Sequence, residues 1–306
     1  DLDRVSDSIV MESLKEASRH SKPAQLVAEL KQAGDQISLA EFVENYAHRV
    51  EDIYRGKRSW TGFRHEAGFA TKPAGDSNLE EVALRNLSRL THVDDPERNG
   101  FYREMLSEAT PPRLSDLSLP EQRRMTMLAW GLGSGQSGRE TLDQFFTDLW
   151  ELESVLDELR QLLAILDQRA ITLTGLAEAS DIPLNVHARY SREEIVAALG
   201  FGDGVKPKVT QGGVLWVPEA KSDVFFIDLH KAERDYSPTT MYRDYAINRD
   251  LFHWESQSRQ APHQPTVQRY INHRREETSI LLFVRERKRG ELGTLPFSYL
   301  GPADYV

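Results

Sequence analysis

The hydrophobic period of this sequence changes at Gly200, and that change decides what the chain can fold into. Upstream, apolar residues recur every three or four positions, as one face of a helix requires; downstream they fall into short β-branched and aromatic runs separated by Gly, Pro, Asp or Asn. The strongest helical signal is Leu142, Phe145, Leu149, Leu152, Leu156, Leu159, Leu163 and Leu166. Its alternating steps of three and four predict one helix of roughly 40 Å. Phe146 and Trp150 widen the apolar stripe, which favours the centre of a bundle over a narrow coiled-coil seam. Ser38 with Glu41, Ser118 with Glu121, and Ser137 with Glu140 have the spacing of capping boxes. With stops at Gly34, Gly56, Lys72 to Gly75, Thr110 to Pro112 and Gly131 to Gly135, about seven helices are expected before Arg169. Gly62 to Gly68 lacks the lysine and glycine spacing of a phosphate loop and reads as a turn-bounded short helix.

Residues 171–200 read as a helical connector, with Thr174 capping Gly175 to Ala179 and Ser191 with Glu194 starting a second helix that ends at Gly200. Glu193 and Glu194 stand where a groove-reading helix would want donors, so a helix-turn-helix is disfavoured. Strands are expected over Val214 to Val217, Val224 to Leu229, Met241 to Ile247, Leu251 to Trp254, Ile280 to Arg285 and Phe297 to Leu300. No long helix is legible between them, so an antiparallel sheet curled into a small barrel follows. The expected class is α+β: a helical spacer over 1–170, the connector over 171–200, and over 201–306 a barrel comparable by analogy with PUA, SRA and OB modules.

The chain has 306 residues, a net charge of -10 and no cysteine. Disulfides, thiolate zinc sites and cysteine nucleophiles are excluded, and a cytoplasmic setting is expected. No stretch approaches a membrane span, so no membrane association is expected. From Ile171 to Val306, Lys and Arg number 17 against 18 Asp and Glu, so that part is nearly neutral and residues 1–170 carry a net -9. Phosphate contacts are therefore expected from the second part.

The densest recognition chemistry lies in YSPTTMYRDYAINRDLFHWESQS, Tyr236 to Ser258. Tyr236, Tyr242, Tyr245, His253 and Trp254 offer flat faces for stacking, and Arg243, Asn248, Arg249 and Gln257 offer donors. This wording, with PLNVHARYSREEIVAALG before it and YINH, ILLFVRE and FSYLGPADYV after it, resembles a C-terminal domain of unknown function found on DEAD/DEAH-type superfamily II helicases. In that family the motor often follows a phospholipase-D-like nuclease domain, in a setting of restriction and phage defence. The resemblance implies an ATP-dependent helicase motor upstream of Asp1 on the same polypeptide. It also implies a final strand region that continues past Tyr305-Val306.

The function expected is a noncatalytic module, without a cofactor, that binds DNA and reads its form or a modified base or backbone. Tyr236, Tyr242, His253, Trp254, Arg243 and Gln257 would contact bases. Arg189, Tyr190 and Arg192, beside a helix N-terminus, would hold phosphate together with Lys206, Lys208, Lys231, Arg269, Arg274 and Arg275; the alternative for that trio puts Tyr190 in the core and pairs both arginines with local acids. One alternative is a protein-interaction or autoinhibitory module whose acidic helices cover the motor's basic channel. Another is a metal-dependent nuclease at Asp203, Glu219 and Lys221, although Pro218 and Ser222-Asp223 make that trio look like a hairpin turn. His253-Trp254-Glu255 is similar to part of a zinc deaminase motif, which fails without cysteine ligands. A site from His253, His263 and His273 lacks short ligand spacing.

Overall fold

The computed structural model describes residues 23–69, 76–169, 181–208, 212–230, 244–248, 250–255 and 261–306. The N-terminal part is helical: α1 (Pro23–Ala33), α2 (Leu39–Asn45), α3 (Val50–Tyr54), α4 (Trp60–Ala67), α5 (Ser77–Asn86), α6 (Pro96–Ser107), α7 (Leu119–Leu132), α8 (Leu142–Trp150) and α9 (Glu153–Asp167). Capping boxes form at Ser38 and Glu41 and at Ser118 and Glu121. At the third expected box, the Ser137 hydroxyl instead donates to Ser134 O at 2.6 Å, and Thr141 caps α8 by accepting from Gln144 N at 3.2 Å.

The leucine seam is two helices rather than one. Leu152 leaves the helical region of backbone space at φ -99° and ψ 76°, ending α8 and opening α9. All eight seam residues are nonetheless buried in the core. A side-chain pattern specifies which face is buried, and a one-residue break that keeps that face inward leaves no mark on it.

The C-terminal part contains β1 (Arg189–Tyr190), α10 (Arg192–Ala198), β2 (Gly202–Asp203), β3 (Lys206–Pro207), β4 (Val214–Val217), β5 (Ser222–His230), β6 (Tyr245–Ala246), β7 (Phe252–His253), α11 (Pro265–Ile271), β8 (Ser279–Arg287), β9 (Arg289–Gly290), β10 (Gly293–Thr294) and β11 (Phe297–Ala303). The class is α+β, but the main sheet departs from the expected antiparallel barrel. Its order is β1-β11-β8-β5-β4, with β1 and β4 as unjoined edges among the described residues. The central pair β5 and β8 runs parallel, with Ser222 opposite Ser279 and His230 opposite Arg287. A parallel pair needs a long crossover. Residues 231–278 supply it, and they include α11, whose seven residues PTVQRYI are too few to show a helical period.

Strand alternation gives the sheet two working faces. Val224, Phe226, Phe283, Phe297 and Tyr299 join the helices in one continuous apolar core that begins at Leu26. Phe225, Ile227, Ile280 and Val284 form a second cluster with Tyr270 of α11, and Phe252 and Trp254 pack onto it. The sheet thus lies between the helical part on one side and α11 with the β6–β7 ribbon on the other.

Candidate nucleic-acid interface

The residues beside α10 do structural work first. Asp95 caps α6 by accepting from Glu97 N and Arg98 N, and the same carboxylate accepts from Tyr190 Oη at 2.7 Å and from Asn185 Nδ2 at 3.1 Å. Arg98, wholly buried, donates to Glu194 Oε1 at 3.0 Å, and its guanidinium lies 4.8 Å from the Tyr190 ring centroid. His92 Nε2 meets the other Glu194 oxygen at 2.7 Å, and Ser191 N donates to it at 2.6 Å. Burial pushes the Glu194 carboxyl up, but His92 and Arg98 together with these hydrogen bonds outweigh it and hold it at about 2. Arg189 is bound to Asp94, Nε to Oδ2 at 2.8 Å. Tyr190 has no exposed surface and its hydroxyl donates to Asp95, so in this conformation it offers nothing to a phosphate.

Arg192 lies on the helix-facing side of the sheet. Its guanidinium is 3.7 Å from the Phe226 ring centroid, and Nη1 donates to Gly212 O at 2.9 Å. Next to it, Arg285 lies 4.1 Å from the Phe297 ring centroid and pairs with Asp228. Burial, reinforced by the Arg285 charge, lowers the Arg192 pKa to about 10. This cluster marks the C-terminal end of the parallel pair, where His230 and Arg287 are exposed side by side.

The remaining cations divide into two groups. Arg269 grips the buried Asp223 through Nε and Nη2, at 2.6 and 2.7 Å, with its guanidinium 4.1 Å from the Trp216 ring centroid. Arg274 pairs with Asp304, to which the buried His273 also bonds, at 2.9 Å. Lys206, Lys208, Arg275 and Arg287 are exposed and join no ion pair among the described residues, although Lys208 Nζ sits 5.9 Å from the Phe201 ring centroid. Sequence reasoning missed Arg287, which the basic run Arg285 to Arg289 could have signalled. Lys231, Tyr236, Tyr242, Arg243, Arg249 and Gln257 lie outside the described residues, as do Thr174 and its helix.

Within the aromatic stretch, Trp254 is a packing residue. Its ring is 4.5 Å from Phe225 and 5.9 Å from Tyr270, the latter edge-on. Its neighbour points the other way: His253 is paired across the ribbon with Tyr245, and the two rings stack at 4.8 Å with planes 18° apart. Tyr245 is half exposed, so this stack lies on the outer surface.

The nuclease trio is spread over separate turns. Asp203 is exposed in the β2–β3 hairpin, while Glu219 and Lys221 occupy the turn between β4 and β5, where Lys221 adopts φ 46°. Among the described residues no three His, Asp or Glu side chains are grouped to hold a metal ion. No helix among them is long and apolar enough to cross a membrane.

Residues 184–306 match a family described as a domain of unknown function (DUF3427). No curated protein matches the chain. The matched segment starts at Leu184, immediately before Asn185, and so takes in Asn185, Tyr190 and Glu194, through which the sheet is held to the helices.

Proposed function

We propose that residues 184–306 form a noncatalytic DNA-binding module of a superfamily II helicase, with the helical part as the spacer that fixes it relative to a motor on the same polypeptide. The observation that carries this reading is the outward Tyr245–His253 stack, a flat aromatic platform of the kind on which bases settle without sequence preference. Lys206, Lys208, Arg275 and Arg287 add exposed positive charge that pairs with no carboxylate among the described residues, as backbone contact favours. The helicase setting rests on the resemblance of the C-terminal wording; the family match covers the same residues and is to a domain of unknown function.

The test is fluorescence anisotropy with the 306-residue chain against single-stranded and duplex DNA over a salt series. Affinity that falls linearly with the logarithm of salt, and that weakens on Tyr245→Ala, supports the reading.

A second reading, acidic cover of a basic motor channel, is favoured by Glu44, Glu66, Glu104, Glu108 and Glu140, which are exposed and join no ion pair among the described residues. Deleting residues 1–170 would open the shared core, so charge reversal is the cleaner test. Glu44→Lys with Glu66→Lys and Glu104→Lys should raise motor activity in the full polypeptide under this reading, and leave it unchanged under the spacer reading.

A further inference from the structure

The helical part is acidic as a whole, yet Arg55-Gly56-Lys57-Arg58 sets three cations in four residues. Arg55 is paired with Glu291 of the β9–β10 hairpin at 2.5 Å. The chain then turns through Gly56 and Lys57, both left-handed, with φ 69° and 64°. Such a backbone is unfavourable for a lysine and recurs where a side chain must be presented. Beyond the turn, Lys57 and Arg58 line a cleft of about 280 Å³ between α4 and α5, with Arg85 on its α5 wall.

Arg58 carries its charge here without a counter-charge. Its guanidinium lies 5.6 Å from the Phe63 ring centroid, and Nη1 is closed to solvent with no acceptor among the described residues. A buried donor of this kind ordinarily has a partner. Exposed Lys57 also joins no ion pair among the described residues. The end of α4 adds nothing to the site, since Trp60 N and Thr61 N donate to the buried Glu158 and Gly62 N donates to Ser59 Oγ. Glu66 and Glu81 also line the cleft, both exposed, and Glu81 lies 4.0 Å from Arg85. Three cations thus face two acids, and the two cations that stand unpaired are Lys57 and Arg58.

We infer that this cleft holds a phosphodiester of a bound DNA strand, which makes the helical part a second contact surface as well as a spacer. The inference rests on the DNA-binding reading and extends it to a place where the charge of the helical part gives no hint of it. Continuity with the sheet part selects this occupant. Arg85 Nη2 donates to Gln136 Oε1 at 3.1 Å, and next to Gln136 the Lys206 side chain lies against Gly135. Ser134 Oγ donates to Val205 O at 2.8 Å and fixes the β2–β3 hairpin there. Lys206, one of the exposed cations of the DNA-binding reading, therefore stands on the same surface as the cleft, so one strand can pass from the hairpin to Arg58.

The experiment measures binding of the 306-residue chain to single-stranded and duplex DNA over a salt series, for wild type and for Lys57→Gly with Arg58→Gln. Glycine suits the left-handed backbone at position 57, so a melting temperature equal to that of wild type is expected. The variant should flatten the slope of log affinity against log salt by about two units, one for each lost phosphate contact. The chain has no cysteine, so Glu66→Cys gives a single point for a tethered iron–EDTA group. Its cuts should cluster within a few consecutive nucleotides of the bound DNA, which reports a strand in the cleft and not a free phosphate. An unchanged slope without clustered cutting would overturn the inference, while weakening by Tyr245→Ala in the same assay would leave the DNA-binding reading standing. Absence of wild-type binding to either DNA would overturn both.

Discussion

Arg98 of α6 and Glu194 of α10 form an ion pair at 3.0 Å that is closed to solvent and ties the helical part to the sheet. Burying two charges is unfavourable unless each keeps its partner, and here Asp95, Tyr190, His92 and the Ser191 amide complete the network. Arg98→Met removes the guanidinium that Glu194 is buried against and should destabilise the protein by about 3–5 kcal/mol. Urea unfolding followed by circular dichroism measures it. A loss below about 1 kcal/mol would mean that the pair is better hydrated than the geometry shows.

The same carboxyl gives a pH dependence with a definite sign. Glu194 is held at about 2 in the fold, below its ordinary 4.5, so the folded state binds fewer protons than the unfolded one between those values. Its contribution is fully present above about pH 4.5 and is lost as pH falls toward 2. Wild-type stability should therefore fall more steeply over that window than that of Glu194→Gln. Parallel slopes in the two proteins would place the acid sensitivity elsewhere.

Gly202 abuts the Trp130 ring so closely that a Cβ would overlap it, while Trp130 Nε1 donates to Gly204 O at 3.0 Å. Gly202→Ala must push the indole aside and should destabilise by about 1–3 kcal/mol. A red shift of Trp130 emission, seen against a background with the other tryptophans replaced by phenylalanine, would report the displacement.

What the sequence made legible follows from how local each signal is. The Ser191–Glu194 box is decided within a few residues and stands as expected, whereas the change of period at Gly200 is not clean: β1 lies before it, inside the expected helical connector, and α11 after it. The parallel pairing of β5 and β8 depends on a crossover whose one described helix is too short to show a period. The Asp95–Tyr190 bond joins residues 95 positions apart. Only half of it carries a local signal, the Asp95-Pro96 start of α6, which the sequence reading did not use. In the aromatic stretch, composition singled out His253 and Trp254 equally. Strand alternation separates them, turning Trp254 to the core and leaving His253 with Tyr245 on the surface.

The cations should separate by salt dependence. Arg287→Ala and Lys206→Ala remove exposed charge without breaking an ion pair, so each should flatten the slope of log affinity against log salt by about one unit. Arg269→Ala instead strands the buried Asp223 and should act chiefly through stability. A melting temperature that is unchanged for Arg269→Ala together with a flattened slope would move Arg269 into the interface.

The central claim is that the outward aromatic row binds DNA, and the most direct measurement is the affinity of the 306-residue chain for a forked duplex at low salt, with and without Tyr245→Ala. The account predicts measurable wild-type binding that weakens about tenfold in the variant while the fold and the salt slope stay unchanged. Binding that is equal in both proteins, or absent from the wild type, would contradict it.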